Sequence, residues 1–322
     1  IGLMKESNLN FDDQIEMLPS EKLGEKKYGV INLSVANIRS KPDHHEELAT
    51  QSILGTPIKI LKKGEDGYYL VQTPDNYIAW LDDDGFTFMT EDQGKEWKSS
   101  PKIIYSKEYG FSYSEADVNS QTVSDLVAGN LLKIMGEDSD FYLVNYPDGR
   151  TAYVKKDEVK LFDDWYNALN PIGETILKTA YRFMGIPYLW GGTSTKGMDC
   201  SGFTKTVYYL NGIVLQRDAS QQVNTGELVD TKDVWQNLQA GDLLFFGRKA
   251  DENRKERITH VAIYIGDGDF IHAAGRVKIN SFNPEKPYYS DYRKSGFIRA
   301  KRILTSVGKN GIAKILENSF YK

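Results

Sequence analysis

The stretch Met198-Asp199-Cys200-Ser201-Gly202-Phe203 contains the only cysteine in this chain of 322 residues. A single cysteine cannot form an internal disulfide, so its presence requires either a packing role or a chemical one. Two of the four histidines, His260 and His272, follow it in stretches with the alternating pattern of β-strands. One thiol followed by two imidazoles is the minimum set for a cysteine nucleophile, its base and an orienting group. The sequence therefore predicts a cysteine hydrolase.

The cysteine lies at the predicted start of a helix. Phe203, Val207 and Leu210 recur at helical spacing, and the pattern ends at a turn signal, Asn211-Gly212. Free N–H groups and the dipole at a helix N-terminus stabilise a thiolate, so we expect the pKa of Cys200 to lie below that of a free cysteine. The alternative is that a lone cysteine serves as a small buried apolar side chain. The surrounding glycines and the two later histidines favour the catalytic interpretation.

The composition is that of a globular protein, with 40% hydrophobic and 26% charged residues. A length of 322 residues favours two or three domains. The net charge of −5 argues against nucleic acid as a partner, because no basic stripe is available to neutralise phosphates. Since the sequence contains no run of about 18 apolar residues, we expect no membrane span. We expect the chain to act as a monomer.

The N-terminal residues are polar. Ile1-Gly2-Leu3-Met4-Lys5 shows neither the apolar core nor the cleavage site of an export signal. Two locations stay open: the cell envelope or periplasm if such a signal has been removed, and the cytoplasm otherwise. Within residues 1–28, two short amphipathic stretches at 11–18 and 21–27 predict a helical segment that leans on the first β domain.

After residue 28 the hydrophobic pattern changes to the alternation of half-buried strands, and this pattern occurs twice. Residues 55–61 (GTPIKIL) are echoed by 129–135 (GNLLKIM), and Tyr69-Leu70-Val71 is echoed by Tyr142-Leu143-Val144. A repeat of this length indicates two copies of one domain rather than a solenoid. The repeated motifs resemble bacterial SH3-like (SH3b) domains, and the resemblance implies two small antiparallel β-barrels.

The rest of the chain predicts a domain of the α+β class. A helical stretch opens at Pro171 and ends at Gly185, and the cysteine helix comes after it. Strand-like stretches come next, at 242–246, 261–265, 270–272 and 297–302. Helices before an antiparallel sheet are typical of an α+β fold. The predicted organisation is a helical segment, a first SH3b domain, a second SH3b domain and an α+β domain, at 1–28, 29–96, 97–162 and 163–322.

The last of these domains contains the motifs YxWGG at 188–192, DCSGF at 199–203, GDLxFF at 241–246, HVAIYIG at 260–266 and FIHA at 270–273. Together these motifs resemble those of the NlpC/p60 family of bacterial cell-wall cysteine peptidases. The resemblance spans about residues 172–303. It implies a papain-like α+β core with a Cys–His–polar triad that hydrolyses γ-D-glutamyl bonds to the diamino acid in peptidoglycan stem peptides.

The resemblance assigns the catalytic roles by motif. Cys200 is the implied nucleophile, His260 the base, and His272 the third, orienting residue. Tyr188 would direct a hydroxyl towards the oxyanion, together with backbone N–H groups near the cysteine. The implied chemistry is acyl transfer through a thioester, and it requires no cofactor and no metal.

Two SH3b domains joined to this peptidase are similar to a narrower group, the γ-D-glutamyl-L-diamino acid endopeptidases, which act on stem peptides with a free N-terminal L-Ala. That group has an R-D-[SA]-x-Q segment in its pocket, found here at 217–221. The similarity implies that Asp218 binds the substrate ammonium. It also implies that Arg217 and Ser201 bind the free carboxylate of D-Glu, with Asp199 among the pocket residues.

The first barrel is expected to close the amine end of this pocket. Glu47 and Tyr77 match positions that do so in the narrower group, whereas Arg150 replaces Tyr77 in the second copy. An exposed loop residue and a packing aromatic are the alternative interpretations. His44 and His45 lie in a turn of the same barrel and are interpreted as solvated, since adjacent turn residues make poor metal ligands.

Other functions stay open at this point. One is a wall-binding protein in which the SH3b domains act and the C-terminal domain is inactive; the intact cysteine and histidines argue against it. Another is amidase, transpeptidase or acyltransferase chemistry on the same thioester, because water and amines compete for one acyl-enzyme. The sequence does not decide between lysine and diaminopimelate as the diamino acid, nor does it reveal the role of the second barrel.

Overall fold

The computed structural model describes residues 15–231 and 235–322. Within these ranges the chain forms two seven-stranded antiparallel sheets, followed by a six-stranded antiparallel sheet that packs against helices. The α+β class predicted for the last domain is confirmed. No helix in the described part of the chain is long and apolar enough to cross a membrane.

The first sheet consists of seven short strands: β1 (Tyr28–Ile31), β2 (Val35–Arg39), β3 (Leu48–Ile53), β4 (Pro57–Lys63), β5 (Tyr68–Gln72), β6 (Ile78–Asp82) and β7 (Phe86–Met89). Their order across the sheet is β3-β2-β6-β5-β4-β1-β7. The alternating apolar residues point into one core, in which Ile38, Ile60 and Val71 are fully buried. This is the small antiparallel barrel that the pattern predicts.

A short helix, α1 (Glu91–Ser99), links the two barrels and begins with a capping box between Thr90 and Gln93. The second sheet consists of β8 (Lys102–Tyr105), β9 (Tyr109–Tyr113), β10 (Thr122–Val127), β11 (Leu131–Asp138), β12 (Phe141–Asn145), β13 (Thr151–Lys155) and β14 (Val159–Leu161). Its order, β10-β9-β13-β12-β11-β8-β14, repeats that of the first sheet strand for strand. The sequence repeat therefore corresponds to a repeat of topology.

The N-terminal segment differs from the expected helix. Over 21–27 the structure has only a single 3-10 turn, Glu21–Leu23, and residues 15–18 are not helical. Gly24 has a φ of +58°, which ends the turn after three residues. The remainder of the first predicted stretch, 11–14, lies outside the described residues.

The described C-terminal part contains five helices, α2 (Phe162–Asn167), α3 (Gly173–Arg182), α4 (Cys200–Tyr209), α5 (Ala219–Gln222) and α6 (Asp291–Ser295). Two short antiparallel pairs of strands are formed by β15 (Thr193–Ser194) with β16 (Gly197–Met198), and by β17 (Ile213–Val214) with β24 (Ala313–Lys314). The main sheet contains β18 (Glu227–Val229), β19 (Leu243–Arg248), β20 (Arg257–Gly266), β21 (Asp269–Ala274), β22 (Arg276–Ser281) and β23 (Phe297–Arg302). Its order is β18-β23-β19-β20-β21-β22.

Helix α4 packs on β20 and β21 and brings the cysteine against the sheet. Its apolar positions meet the alternating apolar residues of the two strands in one buried cluster, which includes Phe203, Val207, Val261, Ile263 and Ile271. Helical and strand periodicities can share a core only when one face of each element is apolar. The pattern in the sequence thus determines which face of α4 lies on the sheet.

The first barrel docks tightly on the loop that precedes α4. Thr193 donates two hydrogen bonds to Gln51 of β3. Its backbone N–H donates to Oε1 of Gln51 at 3.0 Å, and its hydroxyl donates to the Gln51 carbonyl at 3.0 Å. Gly191, with a φ of +79°, lies so close to Leu48 that a side chain there would overlap the Leu48 backbone. The YxWGG loop is therefore shaped to accept the barrel.

Candidate active site

Asp199 organises the start of α4 as its N-cap residue. Its Oδ1 accepts from the Gly202 N–H at 2.7 Å, and its Oδ2 accepts from the Gly191 N–H at 3.0 Å. One buried carboxylate thus joins the YxWGG loop to the first turn of the cysteine helix. Cys200 comes directly after it, is 7% exposed, and accepts a hydrogen bond from the backbone N–H of Val261. The thiol therefore lies against β20 at the residue after His260.

The pKa of Cys200 differs in direction from the expectation. Burial, followed by the negative charge of Asp199, raises the pKa of this thiol to about 11, and backbone N–H groups only partly oppose the rise. A helix N-terminus alone would stabilise a thiolate. The expectation is wrong because burial of the thiol outweighs that stabilisation, and the N-cap carboxylate adds a negative charge beside the sulfur.

The side chains of His260, His272 and Asn280 form a hydrogen-bonded chain. Nε2 of His260 lies 2.7 Å from Nδ1 of His272, and Nε2 of His272 lies 2.9 Å from Oδ1 of Asn280. The amide group of Asn280 donates to the Tyr288 carbonyl at 2.8 Å, which fixes Oδ1 as the atom that faces His272. His272 must then donate from Nε2 and accept at Nδ1, so His260 donates from its own Nε2.

This arrangement determines the tautomer of His260. With its proton on Nε2, the neutral ring keeps a lone pair on Nδ1, which is the nitrogen that can accept a proton. Burial lowers the pKa of His260 well below its usual range, and the charges of Arg293 and Lys278 add to the effect. Burial likewise lowers the pKa of His272 to about 3. Both rings are therefore neutral at neutral pH, as the hydrogen-bonded chain requires.

Sequence reasoning missed Asn280. It lies on β22, which was not predicted as a strand, and in the register of the hairpin it pairs with Phe270, two residues before His272. The alternation of Val277, Ile279 and Ser281 after the Gly275 turn is a strand signal that could have identified the hairpin.

Tyr188 lies near the thiol, as the motif implies. Burial, and then the negative charges of Cys200 and Asp199, raise the pKa of its hydroxyl to about 12. The hydroxyl is therefore protonated at neutral pH and available as a hydrogen-bond donor.

A cavity of about 540 Å³ opens beside Cys200. Its wall combines residues of the first barrel with residues of the C-terminal domain: Ser40, Glu47, Ala49, Tyr77, Tyr188, Trp190, Gly191, Asp199, Cys200, Ser201, Arg217, Asp218, Ala219, Ser220, Arg257, Ile258 and Thr259. The structure thus brings the sequence-predicted residues Glu47, Tyr77 and Asp218 into one cavity with the thiol. Arg257, at the first position of β20, is a lining cation that the sequence analysis did not identify.

The cavity wall carries carboxylates from both domains. The Tyr77 hydroxyl of the first barrel donates to the carboxylate of Asp218, and the indole N–H of Trp190 donates to Oε1 of Glu47 at 2.6 Å. Burial raises the pKa of Asp218; the charge of Arg217 opposes the rise and the carboxylate of Asp199 adds to it. Glu47 of the first barrel and Asp218 of the C-terminal domain therefore line the same cavity.

Arg217 is engaged within the protein. Its Nε donates to Thr50 at 2.9 Å, its Nη1 to Ser201 at 3.0 Å and its Nη2 to Asp199 at 2.5 Å. The side chain is 1% exposed, so a direct contact with the D-Glu carboxylate, as expected from the sequence, would have to displace these partners. Arg217 instead holds the N-cap residue and the first barrel together.

Arg150 and the two turn histidines lie elsewhere. Nη2 of Arg150 donates to the Asn32 carbonyl at 2.9 Å, so this residue joins the second barrel to the first. Nε2 of His44 lies 3.2 Å from Oδ2 of Asp82, and Nδ1 of His45 lies 2.9 Å from Oδ1 of Asp43. None of the three lines the cavity.

Comparisons with known proteins agree with this fold. Residues 185–298 match the NlpC/P60 family, and residues 38–86 match the bacterial dipeptidyl-peptidase Sh3 domain. The chain is 32% identical to the γ-D-glutamyl-L-lysine dipeptidyl-peptidase of Bacillus cereus, over 70% of this chain and 67% of that protein. It is 26% identical to dipeptidyl-peptidase 6 of Lysinibacillus sphaericus, over 81% of this chain and 93% of that protein.

A solved structure supports the fold independently. The crystal structure of an NlpC/P60 family protein from Bacillus cereus superposes with a TM-score of 0.73 at 24% identity, over 86% of this chain and 99% of that one. The fold and the single thiol define a cysteine peptidase. The chain belongs to the NlpC/P60 family. The Sh3 match covers only the first sheet, so the assignment of the second sheet as an SH3b domain stays a prediction.

Proposed function

We propose that this protein hydrolyses the bond between γ-D-glutamate and the diamino acid in peptidoglycan stem peptides that carry a free N-terminal L-Ala. The reaction would release L-Ala-γ-D-Glu during cell-wall turnover or muropeptide recycling. The observation that carries the proposal is the cavity beside Cys200, whose wall includes Tyr77 and Glu47 of the first barrel. The names of the relatives from Bacillus cereus and Lysinibacillus sphaericus support a dipeptidyl-peptidase activity.

The carboxylates of Glu47 and Asp218 in the cavity wall are suited to the substrate ammonium. Burial raises the pKa of Asp218, so a cation bound there would stabilise the carboxylate form. Glu47 would share the ammonium, held by its hydrogen bond from Trp190. A glycan chain or an acyl group on the amine would remove the charge and would meet the wall of the first barrel. The cavity therefore favours released peptides over intact wall.

The free carboxylate of D-Glu needs donors closer to the thiol. Ser201 lines the cavity directly after Cys200, and its hydroxyl is held by Nη1 of Arg217 at 3.0 Å. Arg257 adds a positive charge to the same wall. We propose that these residues bind the carboxylate, with Arg217 acting through Ser201 and Asp199.

The proposed reaction starts from a neutral thiol and a neutral imidazole. Nδ1 of His260 takes the proton from Cys200 as the sulfur attacks the γ-carbonyl of D-Glu, and the oxyanion is stabilised by the Tyr188 hydroxyl and nearby backbone N–H groups. The protonated His260 then gives its proton to the leaving amine, which breaks the C–N bond and leaves a thioester. Water attacks the thioester, His260 accepts its proton, and the dipeptide leaves as the thiol is restored.

The test compares two peptides and two proteins. L-Ala-γ-D-Glu-L-Lys and its N-acetylated form are incubated with the wild type and with Cys200→Ala, and the released amine is measured. We expect the wild type to cleave only the free-amine peptide and the variant to cleave neither.

Equal cleavage of both peptides would contradict the proposed ammonium site and indicate an endopeptidase that acts on intact wall. Cleavage by Cys200→Ala would refute the thiol mechanism. No cleavage by the wild type would favour a wall-binding protein. Transfer to an added amine instead of water would indicate acyltransferase chemistry.

A further inference from the structure

Arg293 lies beside the catalytic histidines on the short helix α6. The centre of its guanidinium is 5.7 Å from the centroid of the Phe246 ring and 5.2 Å from that of Tyr292. The Phe246 ring is in turn 5.7 Å from the ring of His260. Two aromatic faces therefore hold the half-buried guanidinium close to the proposed base.

The positive charge of Arg293 reaches the reacting groups. It acts on the thiol of Cys200 and on the hydroxyl of Tyr188, and it helps to lower the pKa of both histidines, His260 and His272. Burial lowers the pKa of Arg293 itself. A half-buried guanidinium beside an active site is an unfavourable arrangement unless an anion joins it.

A second cation lies in the same region. Lys278, on β22, pairs with His272 across the hairpin, and its charge acts on both histidines. Within residues 15–231 and 235–322, neither Arg293 nor Lys278 forms an ion pair with a carboxylate. Both charges are therefore available to a negatively charged group of a substrate.

The site carries charges of both signs. The carboxylates of Glu47 and Asp218 line the cavity beside Cys200, whereas Arg293 lies outside that lining and its charge acts on the thiol and on the histidines. A peptide with an ammonium at one end and a carboxylate at the other would match this separation of charge.

We infer that Arg293 is a specificity-determining residue that binds the free α-carboxylate of the leaving amino acid. The inference rests on the proposed function and names the chemical group that is recognised on the leaving side of the scissile bond. In L-Ala-γ-D-Glu-L-Lys, one carbon separates the scissile nitrogen from that carboxylate, so a group that binds the carboxylate must lie close to the thiol, as Arg293 does. A guanidinium donates two parallel hydrogen bonds to a carboxylate, a geometry that an ammonium cannot provide. The preferred substrate is therefore a tripeptide that ends at the diamino acid.

The experiment compares L-Ala-γ-D-Glu-L-Lys with the same peptide carrying a C-terminal amide. The enzymes are the wild type, Arg293→Gln, Arg293→Lys and, as a matched control, Lys294→Gln, which changes the adjacent exposed cation. We expect the wild type to prefer the free acid by roughly 10- to 100-fold in kcat/KM, the range for a charge-assisted contact. Arg293→Gln should lose this preference by cleaving the acid more slowly, with the amide little changed. Arg293→Lys should keep part of it, and Lys294→Gln all of it.

Two results would overturn the inference alone: equal cleavage of acid and amide by the wild type, or an equal loss on both peptides in Arg293→Gln. Circular dichroism and stoichiometric labelling of Cys200 would verify that each variant is folded with an accessible thiol. If the wild type cleaves neither peptide, the proposed function fails and this inference fails with it.

Discussion

The indole Nε1 of Trp190 donates a hydrogen bond of 2.6 Å to Oε1 of Glu47, and so joins the loop before the cysteine helix to the first barrel. The loop and the barrel approach so closely that Gly191 has no room for a side chain against Leu48. The first barrel is therefore part of the active-site wall and not a separate module on a linker. We propose that substrate selection depends on this contact between domains.

The contact between Tyr77 and Asp218 provides the first prediction. Tyr77→Phe removes the hydroxyl that donates to Asp218, so the carboxylate should hold a substrate ammonium less well. We expect KM for L-Ala-γ-D-Glu-L-Lys to rise roughly 10-fold with kcat little changed, because one hydrogen bond to a charged group is lost. Steady-state kinetics measure both constants. Tyr109→Phe, an exposed tyrosine of the second barrel, is the control; a similar rise there would argue against a specific role for Tyr77.

The thiol provides a second prediction. Since burial and Asp199 raise the pKa of Cys200 to about 11, only a small fraction of the free enzyme holds a thiolate at neutral pH. The rate of alkylation by iodoacetamide should rise about tenfold per pH unit from pH 7 to pH 10 without reaching a plateau. A small free thiol should level off near its ordinary pKa of about 8.5 under the same conditions. A plateau for the enzyme below pH 7 would instead indicate a preformed thiolate–imidazolium pair.

The base provides a third prediction. Burial keeps the pKa of His260 well below its usual range, so the ring stays neutral and able to accept a proton as the pH falls through 6.5. We expect the acid limb of kcat/KM to lie well below pH 6.5. If kcat/KM instead falls to half of its maximum near the ordinary histidine pKa, the ring is better solvated than the structure indicates.

Asn280 provides a fourth prediction. Asn280→Ala removes the acceptor that holds the proton of His272 on Nε2. The tautomer of His272 is then no longer fixed, and neither is that of His260, which His272 sets. We expect kcat to fall roughly 10- to 100-fold with KM little changed, because tautomer control acts on the chemical step. Asn280→Asp keeps an acceptor and should raise the histidine pKa, which would move the acid limb of the pH profile upward.

Asn283→Ala, a nearby asparagine that bonds only within its own turn, serves as the control for Asn280. Wild-type kcat in Asn280→Ala, or an equal loss in both variants, would remove Asn280 from the catalytic chain.

The buried ion pair provides a fifth prediction. Arg217→Met leaves the carboxylate of Asp199 buried without its partner and should lower the free energy of unfolding by about 3–5 kcal/mol. Arg299→Met breaks the partly exposed pair with Glu256 and should cost less than about 1 kcal/mol. Urea denaturation followed by circular dichroism measures both. Equal effects would mean that the Arg217 pair contributes no more than a surface pair.

Much of the fold was predictable because local periodicity reports burial directly. Residues 261–265 alternate and form part of β20, and the helical spacing of Phe203 and Val207 corresponds to α4. The repeat near residues 55 and 129 corresponds to two sheets of identical strand order. The N-terminal helix over 21–27 did not form, because Gly24 ends the turn.

The site was predictable only in part. Cys200, His260 and His272 were found from residue type and motif, but Asn280 depends on which residues of β21 and β22 pair, and register is set by the packed sheet. The direction of the Cys200 pKa was also missed. A helix N-terminus can be read from sequence, whereas the depth of burial and the N-cap carboxylate beside the sulfur are properties of the packed domain.

The sequence by itself determined that this chain contains a single thiol, two histidines that follow it and a repeated β domain. These features depend only on residue type and on spacing along the chain. Only the tertiary structure decided what those groups face. It engages Arg217 with Asp199, joins Tyr77 to Asp218 across a domain boundary, and places Arg293 beside the histidines. The physical reason is that charge, burial and hydrogen bonding act over a few ångströms in space, and residues this far apart in sequence become neighbours only when the domains pack.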